Sequence, residues 1–176
     1  GRSEGTSPSS LPEGITEEIM APYRELELKY SRLFQPSHIA ATDNRRAIPD
    51  ANTIDVEMDN FVVINTTRDN LDSVGTTGVA TCVAICAQGT NSRGERILGL
   101  FHHSGIEDAE DALAQLNREM AREGVRQPEI FLVGGMISDQ PDNGSYETEK
   151  DLLSLNKKYN IKGAKLHVSI STDEMN

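Results

Sequence analysis

The chain has 176 residues, 36% of them hydrophobic and 26% charged, and its 17 Lys and Arg against 28 Asp and Glu leave a net charge of -11. That length suits one domain with a sizeable core, and no apolar run approaches the roughly 20 residues that span a bilayer. The acidic balance, with no local basic patch to offset it, disfavours a phosphate backbone, so neither a nucleic-acid nor a membrane partner is expected.

Residues 1–13 are dominated by Ser, Gly, Pro and Thr and bury too little apolar surface to offset ordering entropy, so a disordered tail is predicted. They lack the basic-then-apolar pattern of a secretory signal. Thr16 reads as an N-cap, with Glu17 and Glu18 where the helix dipole favours them. A helix of about 18 residues is predicted from there through Phe34, its apolar stripe running over Ile19, Tyr23, Leu26 and Tyr30 and packing on the domain. Residues 35–53, with Pro36, Pro49 and Arg45-Arg46, read as a long irregular loop. The division is then a tail at 1–13, a helix and loop at 14–53, and a main domain at 54–176.

Ile54 to Asn65 reads as strand, strongest at Phe61-Val62-Val63-Ile64, and Asp69 to Gly75 as a loop. Two apolar segments follow, one from Cys82 and one ending at His102-His103, separated by the polar, turn-rich Gln88 to Arg96. The pattern is that of a hairpin. Beyond it come a helix over Ile106 to Gly124 with Ala109, Leu113, Leu116 and Met120 on one face, and a strand at Glu129 to Val133, buried on both sides and ending in Gly134-Gly135. A helix at Thr148 to Asn160 follows, with Leu152, Leu155 and Tyr159 inward. The last element is a strand at Lys165 to Ser171 with Leu166, Val168 and Ile170 facing one way. This order implies an α+β fold or a layered mixed sheet.

The chemistry points to the hairpin. The two cysteines, Cys82 and Cys86, lie four apart, too close for an unstrained disulfide on one element, and form neither a CxxC pair nor zinc spacing. Two thiols without a signal suggest a reducing compartment. A thiol is a poor nucleophile until a histidine takes its proton. Placing Cys82 opposite His102 centres the turn on Ser92 and puts both side chains on one face, Cβ atoms about 5 Å apart, with Ala84, Cys86, Leu98 and Leu100 beside them. His103 then points to the other face. Gly75, Gly78, Ala80 and Thr81 ahead of Cys82 leave space and free N–H groups for an oxyanion. Adjacent histidines diverge on a strand, so His102-His103 makes a poor metal site. Neither a metal nor a cofactor is expected.

Thr76-Thr77-Gly78-Val79-Ala80-Thr81-Cys82-Val83-Ala84 resembles the cysteine motif of the CheD family of chemoreceptor glutamine deamidases, with a Thr six residues before the Cys. Gly99-Leu100-Phe101-His102 is similar to that family's histidine strand, and Leu132-Val133-Gly134-Gly135-Met136 to its Phe-Gly-Gly-Ala segment. The likeness covers roughly 55–171. The family's Gly-Ser before Cys is Ala80-Thr81 here, its Met-Leu-Pro after the histidine is His103-Ser104-Gly105, and the loop between Cys and His is longer. Those departures, and an N-terminal part unlike CheD, make the chain more similar to the HopAF group of bacterial type III secreted effectors, described as CheD-like deamidases of host proteins.

The resemblance implies the cytotoxic-necrotizing-factor-like deamidase fold, layered mixed β-sheets in a sandwich-like core flanked by helices. It implies Cys82 as nucleophile, His102 as base and Thr76 as the group that orients His102. The partner would be a protein presenting a glutamine, and the location the host cytosol, with the bacterial cytoplasm as the alternative. A cysteine protease or acyltransferase using the same pair, or a non-catalytic interaction module on this scaffold, remain alternative readings.

Overall fold

A computed structural model describes residues 11–35 and 53–172. Of the expected tail only Leu11 to Glu13 are among them, and of the 35–53 loop only its two end residues. The first helix, α1 (Glu17–Lys29), is capped as its sequence implies, Thr16 Oγ1 accepting from Ile19 N at 3.2 Å. It stops at Lys29, short of Phe34, and the chain turns through Leu33 N to Tyr30 O at 2.8 Å. The turn lets the Leu33 carbonyl accept from Ala164 N at 2.8 Å, a bond that a continuing helix would forbid.

The stretch expected as one strand from Ile54 to Asn65 is two: β1 (Thr53–Asp55) and β2 (Phe61–Asn65). Between them Asp59 adopts φ 60, a left-handed turn position that Asp tolerates. The presumed loop before the cysteine contains β3 (Ser73–Gly75), which pairs with β1 in parallel. The hairpin is β4 (Val83–Thr90) with β5 (Arg96–His103), so its strands run deeper into the polar segment than expected. Then come α2 (Ala109–Arg122), β6 (Glu129–Ser138), α3 (Tyr146–Ser154) and β7 (Ile161–Ser171).

The architecture is α+β, with a five-stranded sheet ordered β2-β5-β4-β6-β7 and a separate β1-β3 pair. All neighbours in the large sheet are antiparallel except β6 and β7. One face carries the helices. There Val83, Ile85, Ala87, Ile97 and Phe101 pack with Leu113, Leu116, Met120, Leu152 and Leu153. On the other face Ala84 and Leu100 pack with Val74 of the small sheet and with Val56, the residue that follows β1. The second sheet is thus only two strands, a partial cover over β4 and β5.

Partial cover explains a further difference. Ile130 and Leu132 of β6 are fully buried, but Phe131 and Val133 on its opposite face are only half-buried. Helix α2 begins at Ala109, capped by Asp108 through Glu110 N and Asp111 N, rather than at Ile106. Its expected face is the buried one: Ala109, Leu113, Leu116 and Met120. Helix α3 is shorter and earlier than 148–160, and Leu153 joins Leu152 inside while Leu155 and Tyr159 are half-buried. In β7, His167 at φ 43 makes a bulge opposite Gly135, whose φ is 84. The extra residue reverses the alternation, so Leu166 is buried and Val168 is 48% exposed.

At that bulge lies a buried polar cluster. The Glu149 carboxylate, fully inaccessible, accepts from Ser145 Oγ at 2.8 Å, His167 N at 3.1 Å and His167 Nδ1 at 2.9 Å. His167 Nε2 donates to Glu27 of α1, and Tyr23 and Phe34 pack on the ring. Burial pushes His167 down, but the bonds and charges of Glu149 and Glu27 outweigh it, and its pKa lies above the ordinary value. A histidine raised on folding stabilises the fold fully below its unfolded pKa, about 6.5, and the contribution is lost as pH rises through the folded value. Urea unfolding across pH 6 to 9 is expected to show wild type losing stability relative to His167→Gln as pH rises; a constant difference would mean the imidazole does not carry its proton between Glu27 and Glu149.

Candidate active site

The hairpin register differs from expectation by two residues. His102 lies across from Ala84 and His103 across from Val83, and extending the ladder by one residue sets Cys82 across from Ser104. The turn centres on Arg93 because Asn91 organises five residues. Its Oδ1 accepts from Arg93 N and Glu95 N at 3.0 Å each, and Gly94 supplies φ 78 while donating to Asn91 O. A two-residue shift preserves strand parity, so the ladder continued one residue beyond β4 puts Cys82 on the face of His102. His103 belongs to the helix face, 1% exposed and edge-on to Phe101 at 6.1 Å. Burial lowers its pKa against the opposing charges of Asp59, Asp108 and Asp151.

His102 is held by four contacts from the small-sheet layer. Its backbone N donates to Asn60 O at 3.0 Å and its carbonyl accepts from Asp59 N at 2.7 Å. Its Nδ1 is 2.6 Å from Thr76 Oγ1 and 3.3 Å from Val56 O. Thr76 Oγ1 in turn donates to Val56 O at 2.5 Å. These contacts fix the tautomer. A carbonyl only accepts, and the single threonine proton is directed at Val56 O, so the proton between Nδ1 and Thr76 belongs to the imidazole. In the neutral ring the lone pair is then on Nε2. It is buried and has no hydrogen-bond partner.

Cys82 is 4% exposed and sits at the mouth of β4, just after the exposed Thr77, Gly78, Ala80 and Thr81. Its carbonyl accepts from Gly135 N at 2.9 Å, and a Cβ on Gly134 (φ 124) would come within 2.7 Å of it. The glycine pair thus allows β6 to press against the cysteine peptide. Burial pushes the Cys82 thiol up, a side-chain hydrogen bond from Thr81 opposes that, and the nearby Asp59 carboxylate adds to it. The resting thiol is neutral and is not bonded to His102 Nε2.

Cys86 carries the more strongly desolvated thiol of the two. The residue is partly exposed in area, although burial alone pushes its sulfur up to about 11. Its position is within the apolar patch with Val56, Ala84 and Leu100.

The structure thus brings Thr76 and His102 together, from a loop and the end of β5, while Cys82 lies one residue before β4 and makes no hydrogen bond to His102. Two participants escaped the sequence reading. Val56 O follows a three-residue strand, and Asp59 lies in what looked like continuous strand. The Asp59-Asn60 pair is a turn signal that would have divided that stretch. Among the described residues no group of three or more His, Cys, Asp or Glu is placed to hold a metal ion, and no helix is long and apolar enough to cross a membrane.

Thiol labelling tests the electrostatics. Iodoacetamide modification of both cysteines should accelerate from pH 7 to pH 9, with Cys82 leading because Thr81 opposes its burial, whereas nothing offsets burial at Cys86. Peptide mass mapping showing Cys86 labelled first would remove Cys82 as the reactive thiol. In comparison with known proteins, no family model matches the chain and no curated protein matches it, so the reading of this site rests on its own residues.

Proposed function

We propose that the protein is a cysteine-dependent protein-glutamine deamidase, built on a CheD-like form of the α+β fold. The observation that carries this reading is the bare, buried Nε2 of His102, its tautomer set by Thr76 and Val56 O on the strand face to which Cys82 belongs. The likeness of residues 76–84 and 99–102 to the CheD motifs supports it. So does the depth of the thiol. At 4% exposure Cys82 is better suited to a carboxamide on a long side chain than to a main chain lying across the surface, which favours deamidation over proteolysis. The Ser, Pro and Thr-rich residues 1–13 are of the kind found in export signals, and with the HopAF likeness they support delivery into a host cell.

The chemistry follows from the geometry. As the carboxamide enters, His102 Nε2 takes the Cys82 proton and the sulfur attacks the amide carbon. Backbone N–H groups of the 77–82 turn would hold the developing oxyanion. The tetrahedral intermediate collapses as His102 returns the proton to the departing ammonia, leaving a thioester. Water, deprotonated by His102, then cleaves the thioester and releases glutamate and the thiol. Throughout, Thr76 and Val56 O hold Nδ1–H, so the charge that forms on the imidazole stays aligned.

Coexpression with candidate targets followed by intact-mass measurement tests the reaction. The expected result is a mass gain of one amide-to-acid conversion with wild type and none with Cys82→Ala; chain cleavage would instead mean a protease. His102→Ala should lower turnover by about 10²–10⁴-fold, the usual worth of a general base. His103→Ala should destabilise the fold but spare turnover per folded molecule. Thr76→Val removes one of the two acceptors on Nδ1 while Val56 O remains, so a loss of about tenfold is expected, equivalent to ~1.4 kcal/mol.

A further inference from the structure

Two loops border the start of β4, and they are clasped to each other. Asp59, between β1 and β2, accepts from Ser104 N at 3.0 Å through one carboxylate oxygen and from Ser104 Oγ at 2.8 Å through the other. Ser104 Oγ also accepts from Ile106 N at 3.2 Å. Ser104 is the residue that falls across from Cys82 when the β4–β5 register is extended, and the Asp59 charge is felt at the Cys82 sulfur. Gly105 (φ 97) sits so close to α3 that an added Cβ would come within 2.5 Å of Thr148 Oγ1. Clasp and close approach fix the rim before anything binds.

This rim presents unusual surface. Of the four large apolar side chains that are exposed among the described residues, Met58 (58%) and Ile106 (88%) lie within two residues of the clasp, one on each loop. Around them the charge has one sign. Residues 53–60 carry Asp55, Glu57 and Asp59, residues 104–111 carry Glu107, Asp108, Glu110 and Asp111, and neither segment contains a Lys, Arg or His. Asp59, Asp108 and Asp151 all act electrostatically on His103, so these carboxylates converge on one end of the sheet. Glu110 is engaged by Lys158 and Tyr159; Glu57, Asp59 and Asp108 remain on the exposed side. Behind the rim lies the unpartnered Nε2 of His102.

We infer that the Met58–Ile106 rim is the docking surface for the protein substrate, and that it selects a glutamine flanked by apolar residues and then by lysine or arginine. The inference rests on the deamidase reading for the identity of the central residue. Met58 and Ile106 would grip the apolar neighbours, Met with the adaptability of its thioether. The carboxylates would steer and hold the basic flanks. The same field would disfavour the product, since each turnover converts a neutral carboxamide into a carboxylate beside Asp59.

Fluorescence anisotropy on the Cys82→Ala protein reads binding without turnover. The probe is a fluorescein-labelled peptide, Lys-Leu-Gln-Leu-Arg-Lys, and its comparator carries Glu at each basic position. The basic peptide is expected to bind about tenfold tighter at low salt, with the advantage shrinking as salt screens the rim. Met58→Ser with Ile106→Ser, both exposed and so harmless to folding, should weaken it by about tenfold. Equal binding of the two peptides, or indifference to the double substitution, overturns the docking surface. So does sedimentation showing a dimer that the double substitution dissociates, since a second copy would then own the rim. Ammonia release by the wild-type protein separates the two readings. Selective binding without ammonia leaves the rim standing and removes the deamidase, whereas ammonia released equally from both peptides does the reverse.

Discussion

A strand in the middle of a sheet must satisfy two different neighbours at once, and β4 meets that constraint by strict alternation. Val83, Ile85 and Ala87 face the helices, while Ala84 and Cys86 face the small sheet. The partner strand obeys the same rule, with Phe101 inward and Leu100 outward. Because the alternation is fixed by burial on the helix side, the identity of the residues on the other side is free to carry chemistry. His102 is the last residue of β5 on that free side. The helix-side core thus determines that His102, and not His103, faces the small sheet.

The small β1-β3 sheet has the complementary role. It is too short to bury much apolar area, and its contribution to the core is the patch around Val56 and Val74. What it adds is polar. Val56 O, Thr76 Oγ1, Asn60 O and Asp59 N all reach His102 from this layer. An imidazole with one nitrogen held by two acceptors has one tautomer, and its orientation is set by backbone rather than by a mobile side chain. The arrangement keeps the other nitrogen, Nε2, buried without a partner, a position that is costly to hold. That cost sets His102 apart from a satisfied core histidine.

The second buried polar cluster illustrates the opposite case. Ser145, Glu149, His167 and Glu27 satisfy one another, and they join α1, α3 and β7 around the bulge at Gly135 and His167. Every group there has a partner, so the cluster reads as a joint that fixes where α1 lies. Gly135 serves both regions, since its N–H bonds the Cys82 carbonyl while its left-handed backbone leaves room for the Glu149 carboxylate. The joint and the site therefore share one stretch of β6.

Much was legible from residues alone wherever a period repeats. The α2 face, the N-cap at Thr16 and the hairpin follow from local pattern, because burial imposes a period of 3.6 or 2 on any element that has one dry face. Thr76 was legible only through the family motif, since six residues across a glycine turn have no fixed direction. The register could not be read, because Asn91 side-chain bonds, not strand pattern, decide where the turn centres. Nor could Val56 O, the Asp59–Ser104 clasp or the His167 bulge. Each depends on segments far apart in the chain meeting in space, and hydrogen bonds between such segments leave no periodic trace in the sequence.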